Sequence, residues 1–384
     1  MIGRMLLEFT WINIIKDTWI NYMKKKKVAI IGTNGIPANY GGYETLSEFL
    51  VENLNERFDF TVFCSKNQKR KENGIKHFKG ARLKYLPLKA NGYQSIVYDL
   101  ISIIYSLFKH DTLLVLGAPA GFFFFLNIFF KKRMILNHGG FNEWERTKYN
   151  KLAGWWGINS RRVATKFTTY DIGDNPIIIE SIKKNFGVNA KMIEYGGDHA
   201  KKVKMNDKLK KKYSFVSNDY FITVSRAEHD NKIHEVIDAF KLAPKKNVVI
   251  VSNWKVSEYG IKLYSEYKDK YSNIVLLNAV YDKNELNFLR GNAVGYIHSH
   301  SFCGTAPSLV EAMCLGLPII SYNVPTNHYT TDDKAIFFND SKELASIINS
   351  ISEKDIEINR NNMIEIAKNR YTWERISNLY ADIF

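Results

Sequence analysis

Short β-branched runs alternate with amphipathic stretches from one end of the 384-residue chain to the other, and this alternation constrains the fold more than any other feature. A run that is apolar on both faces must be covered on both faces. Helices that return the chain after each run do this, which is the pattern of parallel sheets in α/β domains. In the first half the runs are Val28–Gly32, Phe60–Phe63, Leu113–Leu116, Met134–Asn137 and Phe167–Thr169. After a lysine-rich stretch at 201–212 the rhythm restarts with Tyr220–Ser225, Asn247–Ser252, Ile274–Leu277, Ala293–His298 and Leu317–Ser321. The restart predicts an α/β chain of two Rossmann-like, doubly wound domains, over residues 23–205 and 206–365. In such folds ligands sit beyond the carboxyl ends of the strands, so two facing sheets would hold one in the cleft between them. Residues 1–22 read as an N-terminal extension. Residues 366–384 read as a helix with no strand of its own to cover, expected to pack back on the first domain.

With 45% hydrophobic and 24% charged residues the chain can bury a sizeable core, which excludes a disordered tail, a collagen-like repeat and a small disulfide scaffold. Cys64, Cys303 and Cys314 are too few for a disulfide framework and form no Cys-x-x-Cys metal spacing, which fits a reducing cytoplasm. The formal charge of +15 favours anionic partners: phosphates, nucleic acid or acidic headgroups. It is blocky, with Lys24–Lys27, eight basic residues against one acid between Lys66 and Lys84, and seven lysines against one aspartate between Lys201 and Lys212. Solvated loops account for each block. A basic surface beside apolar helices also suits a peripheral membrane protein, since acidic lipid adds about 1 kcal/mol per nearby Lys or Arg.

The first apolar stretch carries Glu8, Lys16 and Asp17 and so is no secretory signal. It reads either as the product of an upstream start or as an amphipathic surface helix through Trp11, Ile14, Ile15, Trp19 and Ile20. The longest apolar run, Thr112–Phe130, is interrupted by Gly117-Ala118-Pro119-Ala120-Gly121. That predicts a strand, a turn and a short aromatic helix ending at Lys131-Lys132-Arg133, not a membrane span.

Three constellations can carry chemistry. The first strand runs into Gly32-Thr33-Asn34-Gly35-Ile36-Pro37-Ala38-Asn39-Tyr40-Gly41-Gly42-Tyr43-Glu44, with a helix expected from about Thr45 to Asn53. Its glycines permit close backbone approach, and a helix N-terminus beyond them favours a phosphate. It is neither a Walker loop nor Gly-x-Gly-x-x-Gly, and an ordinary strand-to-helix turn explains Gly32 and Gly35 equally well. In the second half, Arg226 follows a strand and Lys232 precedes a helix, a pair able to reach a diphosphate as fork and point charge. Further on, His298-Ser299-His300-Ser301-Phe302-Cys303-Gly304-Thr305-Ala306 leads into a helix opening at Pro307. There the free N–H groups of residues 308–310 could bind phosphate, and Glu311 a sugar hydroxyl. From spacing alone the two histidines lack a third metal ligand and read as surface or strand-end residues, so no metal site is expected.

Gly41-Gly42-x-Glu44, Arg226 with Lys232, and Pro307-Ser308-Leu309-Val310-Glu311-Ala312-Met313, in that order, resemble a GT-B glycosyltransferase of the retaining family four. Leu86-Pro87-Leu88-Lys89-Ala90-Asn91-Gly92, Ser95-x-x-Tyr98-Asp99, Asn253-Trp254 and Gly304-Thr305-x-Pro307-Ser308-Leu309 resemble its bacterial rhamnosyltransferase branch, over nearly all of residues 23–384. The resemblance implies sugar transfer in capsule or O-antigen synthesis. The donor would be dTDP-L-rhamnose, with UDP-hexoses as the alternative, and the acceptor a polyprenyl-diphosphate-linked saccharide at the cytoplasmic face of the inner membrane. It also implies that Arg226 and Lys232 neutralise the donor diphosphate, that Glu311 holds the ribose or donor sugar, and that His138 replaces the strand-end histidine directed at that sugar. Gly41, Gly42, Asn253, Tyr281, Thr305, Ser308 and Leu309 would complete the donor side. Tyr43, Glu44, Tyr98, Asp99, Glu143, Trp144 and Arg146 would form the acceptor side.

Three departures accompany the resemblance. Cys303 stands where many members have a first Glu, as the branch also lacks it. The branch's Asn-x-Asp-Gly-x-Glu-Trp appears as Asn137-His138-Gly139-Gly140-Phe141-Asn142-Glu143-Trp144, which puts substrate preference in question. Lys232 comes one residue later than usual. No cofactor is implied, and the chain has no Asp-x-Asp, the usual Mg-diphosphate ligand of the other main glycosyltransferase fold. The rivals are a sugar-nucleotide epimerase, which would need acid and base carboxylates at the ring, and a non-enzymatic binder of nucleic acid or acidic membrane. No RNA-binding signature supports the latter, so nucleic acid is not an expected partner.

Overall fold

The computed structural model describes residues 25–39, 41–66, 74–140, 150–204 and 206–384; the N-terminal extension and the expected acceptor-side residues Glu143, Trp144 and Arg146 lie outside them. Val28, Ala29, Ile30 and Ile31 are fully buried in β1 (Lys26–Ile31), because its flanking strands and the helices on both faces leave no side solvated. Around it are β2 (Phe58–Ser65), β3 (His77–Phe78), β4 (Ala81–Leu86), β5 (Thr112–Leu116), β6 (Arg133–Asn137), β7 (Tyr170–Gly173) and β8 (Lys191–Met192). They form one sheet in the order β3-β4-β2-β1-β5-β6-β7-β8, parallel except for the β3–β4 edge. The second sheet comprises β9 (Tyr220–Val224), β10 (Asn247–Ser252), β11 (Ile274–Asn278), β12 (Gly295–His298), β13 (Ile319–Tyr322) and β14 (Ile336–Phe338). It is parallel throughout, in the order β11-β10-β9-β12-β13-β14. In each sheet the order reverses beside the first strand, between β1 and β5 and between β9 and β12. Helices diverge to opposite faces at those points and leave a crevice at the carboxyl ends.

Thr112–Phe130 folds as the expected strand, turn and short aromatic helical segment. Among the described residues no helix is long and apolar enough to cross a membrane. Two expectations fail. The strand placed at Phe167–Thr169 lies at Tyr170–Gly173, because Phe167 closes the turn after the Lys151–Ala164 helix, its N–H bonded to Ala164 O at 2.9 Å. Part of the Lys66–Lys84 block is not loop but strand: in β4, Arg82 pairs with Asp59 at 2.6 Å and the Lys84 ammonium sits 3.4 Å over the Tyr105 ring.

The Glu353–Arg370 helix covers the second sheet, where Asn359 Oδ1 accepts Ile319 N–H at 2.7 Å. The chain then crosses back. The Trp373–Ala381 helix lies on the first domain's Gly42–Leu54 helix, with Trp373 stacked on Phe49 at 4.7 Å and Phe384 set edge-on against Phe58.

Candidate active site

The first wall of the crevice is the β1 loop and the helix it feeds. That helix begins at Gly42, earlier than expected, and Gly41 caps it with φ of 119°, where a side chain would also collide with the Glu44 carboxylate. Glu44 reaches back and its Oε1 accepts from both the N–H and Nδ2 of Asn34, at 2.8 and 2.9 Å. From the other side the Tyr98 hydroxyl donates to Thr33 O at 3.0 Å. Glu44 and Tyr98, expected on the acceptor side, thus hold the loop instead of presenting free polar groups. Asp99 is buried with neither oxygen hydrogen-bonded, and burial pushes its carboxyl well above the usual range. Tyr43 packs beside Gly117 at the end of β5.

Next along the sheet, His138 follows β6 and its Nε2 lies 2.8 Å from Asp171 Oδ1 at β7; Asp171 also accepts from the Thr168 hydroxyl at 2.7 Å. Burial lowers the His138 pKa even against the Asp171 bond, so the ring is neutral, donates through Nε2, and leaves Nδ1 buried without a hydrogen-bond partner. The three-residue displacement of β7 is what hid Asp171 from the sequence pattern. Arg161, buried from the Lys151–Ala164 helix, donates to His138 O at 3.4 Å.

The second wall comes from adjoining strand ends of the other sheet. Arg226 follows β9, is about two-fifths exposed, and has Nη1 3.4 Å from Glu228. Asn253 follows the neighbouring β10, and its Oδ1 accepts Ala227 N–H at 3.0 Å. Lys232 adopts a left-handed backbone before the Ile233–Leu242 helix, its ammonium 4.7 Å over the Tyr322 ring at the end of β13. Ser299 and Ser301, beyond β12, donate to Asn231 O and Asp230 O at 2.6 and 2.9 Å, which ties the two loops together. Tyr281 is exposed and lines a surface pocket with Asn278 and Glu285.

The walls meet at the helix that opens, as expected, at Pro307 (Pro307–Cys314). A Cβ on Gly42 would stand 3.5 Å from the Pro307 ring, so the first domain's glycine pair and the second domain's helix N-terminus share one mouth. Leu309 and Val310 N–H, expected to be free, both bond Ala306 O, and the Leu309 side chain is buried core, which removes Leu309 from the open surface. Ser308 stays at the mouth, half-buried. Thr305 is committed across the domains, its hydroxyl donating to Asp174 O at 2.5 Å. Glu311 is ion-paired with Arg290, and His199 Nε2 lies 3.1 Å from its other oxygen. Burial alone would raise the Glu311 carboxyl, but Arg290 and then His199 outweigh it and hold it down at about 2. Arg290, His199, Asp171 and Asp174 are the residues that sequence reasoning missed. Each lies at least twenty positions from its partner, where no local period reaches.

Beside His298 and His300 stands a third side chain of metal-ligating type that the spacing did not single out. Cys303 returns over the strand end, with Sγ 3.9 Å from His298 Nε2. The lone cysteine reads as a substituted glutamate in the motif, which is why the chain pattern conceals it. Burial pulls the His298 ring down to about 3, so it is uncharged.

Arginine, lysine and a helix N-terminus at adjoining strand ends can together neutralise a diphosphate, and a carboxylate held ionised by two cations can accept from hydroxyls. Residues 25–198 match a domain of unknown function (DUF1972), and residues 205–370 match glycosyl transferases group 1. No curated protein matches the chain by sequence. Sucrose-phosphate synthase from Thermosynechococcus elongatus superposes with a TM-score of 0.78 at 14% identity, covering 94% of this chain and 98% of that one. Anabaena HepE, solved with UDP and glucose, gives 0.71 at 14% identity over 93% and 98%. WaaG, a glycosyltransferase involved in lipopolysaccharide biosynthesis, gives 0.64 at 14% over 93% and 99%. Residues 205–370 therefore form a glycosyl transferases group 1 domain, and the chain is a glycosyltransferase of the GT-B fold.

Proposed function

We propose that the enzyme transfers L-rhamnose from dTDP-L-rhamnose, with retention, onto a polyprenyl-diphosphate-linked saccharide of a capsule or O-antigen. The observation that carries sugar transfer is the single mouth where Gly42 meets Pro307, with the ionised Glu311 one helical turn inside. Breaking a sugar–diphosphate bond develops negative charge on the leaving phosphate. Arg226, Lys232 and the Pro307–Cys314 helix N-terminus offer fixed positive potential for that charge. Glu311, held ionised, accepts from the ribose or donor-sugar hydroxyls, and His138 offers Nδ1 to the sugar. The choice of rhamnose rests on the branch motifs. A UDP-hexose is the second reading, favoured by the likeness to HepE, whose structure holds UDP and glucose.

Donor-dependent thermal shift tests the reading, since a ligand at a hundred times its Kd adds about 2.7 kcal/mol. A shift with dTDP-rhamnose alone supports it. A shift with UDP-glucose, UDP-galactose or UDP-GlcNAc instead replaces the rhamnose assignment, and no shift with any nucleotide sugar removes the donor site from this crevice.

The same reading places the enzyme on an anionic membrane surface. Val97, Ile101, Ile104, Tyr105 and Phe108 are exposed along one face of the Gln94–Lys109 helix. Phe108 meets Phe130 at 4.7 Å, which continues the apolar face through Phe129, Ile128 and Phe125. Phe122, 6.5 Å from Trp155, carries it on to Leu152. Lys109, Lys131, Lys132 and Arg133 border it in the chain, and that combination of apolar area and positive charge is what acidic lipid recognises.

A further inference from the structure

β12 ends at His298, and the chain turns through Ser301–Gly304 before the Pro307–Cys314 helix, which brings Cys303 back over the strand end. One ligand atom from each of His298, His300 and Cys303 lies within 4.8 Å of the other two. The two imidazole centroids are 4.3 Å apart, and Cys303 Sγ is 3.9 Å from His298 Nε2. Zinc takes sulfur at about 2.3 Å and nitrogen at about 2.0 Å, so tetrahedral neighbours stand roughly 3.5 Å from one another. Small rotamer adjustments close the difference.

The surroundings suit an ion better than a chance contact. His298 and Cys303 are buried, and His298 Nδ1 has no hydrogen-bond partner. Asn327 is fixed by donating through Nδ2 to His300 O and Tyr322 O, at 3.1 and 2.9 Å. This turns its Oδ1 toward Cys303 Sγ at 3.3 Å, and Thr326 Oγ1 lies 3.9 Å from the same sulfur. Two imidazoles and a thiol, with no carboxylate among them, select a borderline-soft cation over magnesium or calcium.

We propose that His298, His300 and Cys303 form a binding site for a thiophilic divalent cation of the zinc class, with two nitrogens and one thiolate as ligands and the fourth position taken by water or the Thr326 hydroxyl. Binding converts the Cys303 thiol to thiolate. The proton now directed at Asn327 leaves to solvent, so one proton is released per ion and no redox change occurs. Because the ligands span the loop that feeds the Pro307–Cys314 helix, an ion there fixes that loop. The site stands independently of the transfer reading, since it is measured without any sugar.

The test is to strip the full-length protein with a chelator, dialyse it, and titrate it with zinc against a chromophoric competitor and with cobalt by absorption. We expect one ion retained per chain and a thiolate-to-cobalt charge-transfer band. Both should vanish in Cys303→Ser and persist in Cys314→Ser. His300→Asn, at a half-buried position, should weaken zinc at least about tenfold. Failure to retain an ion, or retention with unchanged affinity in Cys303→Ser, overturns the proposal. Should that variant not fold, an unchanged cobalt spectrum in His300→Asn overturns it equally.

Discussion

The two halves of the chain share one architecture and present opposite outer surfaces. Among the described residues, twelve large apolar side chains are exposed in the first half and five in the second. The five, Leu242, Val256, Ile261, Tyr281 and Ile358, sit singly on different elements, whereas most of the twelve fall on three neighbouring helical segments. A parallel sheet requires only that its own faces be covered, and the outer face of a covering helix is free to match whatever it meets. In the second half that is water. In the first half it is the face that we propose meets lipid, while the cations and carboxylate that we assign to the nucleotide sugar lie in the second.

The largest effect that would break this division is on turnover. Glu311→Gln and Arg226→Ala should each cut transfer by roughly 10²–10³-fold or more, the scale of losing one preorganised charge partner, with vesicle sedimentation unchanged. Near-normal turnover in either variant would remove that residue from the site. Loss of vesicle binding in either would show the halves are not separable in function.

A smaller and opposite effect is expected from Phe108→Ser combined with Phe129→Ser. Each side chain is worth about 1.5–3 kcal/mol when buried, so binding to anionic vesicles should fall about a hundredfold or more, with donor-induced thermal shift retained. Equal sedimentation of variant and parent would assign this face to another partner. The residual attraction should weaken as salt rises, because it comes from Lys and Arg near the surface.

The third expectation concerns acid stability, and its sign is fixed by Glu311. Its folded-state carboxyl is held at about 2, below the ordinary value of 4.5. The stabilisation is therefore full above about pH 4.5 and lost as pH falls toward 2, amounting to a few kcal/mol. Denaturant unfolding between those limits should show a steeper pH slope for the parent than for Glu311→Gln. Parallel slopes would mean that Arg290 and His199 do not hold the carboxylate.

The pattern made the second sheet more legible than the first. Asn247–Ser252 is read to the residue and β9, β11, β12 and β13 nearly so, because each is a short apolar run beside turn residues. The two-residue β3 and β8 are too short to show a period. β4, Ala81-Arg82-Leu83-Lys84-Tyr85-Leu86, carries its charges on an alternating face within a basic block and so reads as loop. In the site, Gly41, Gly42, Arg226, Pro307 and Glu311 stand out because loop and helix-start chemistry is local. The partners of Glu311, His138 and Thr305 do not.

What the sequence determined by itself is the run of strands and helices, the glycine pair before one helix and the proline before another, all consequences of backbone preference and hydrophobic period over a few residues. Tertiary structure alone decided that Gly42 meets Pro307, that Arg290 and His199 hold Glu311 ionised, that Asp171 orients His138, and that Cys303 completes a cluster with His298 and His300. Except for the Cys303 turn, these contacts join residues distant in the chain, in helices and loops that the two parallel sheets bring together around the crevice at their carboxyl ends.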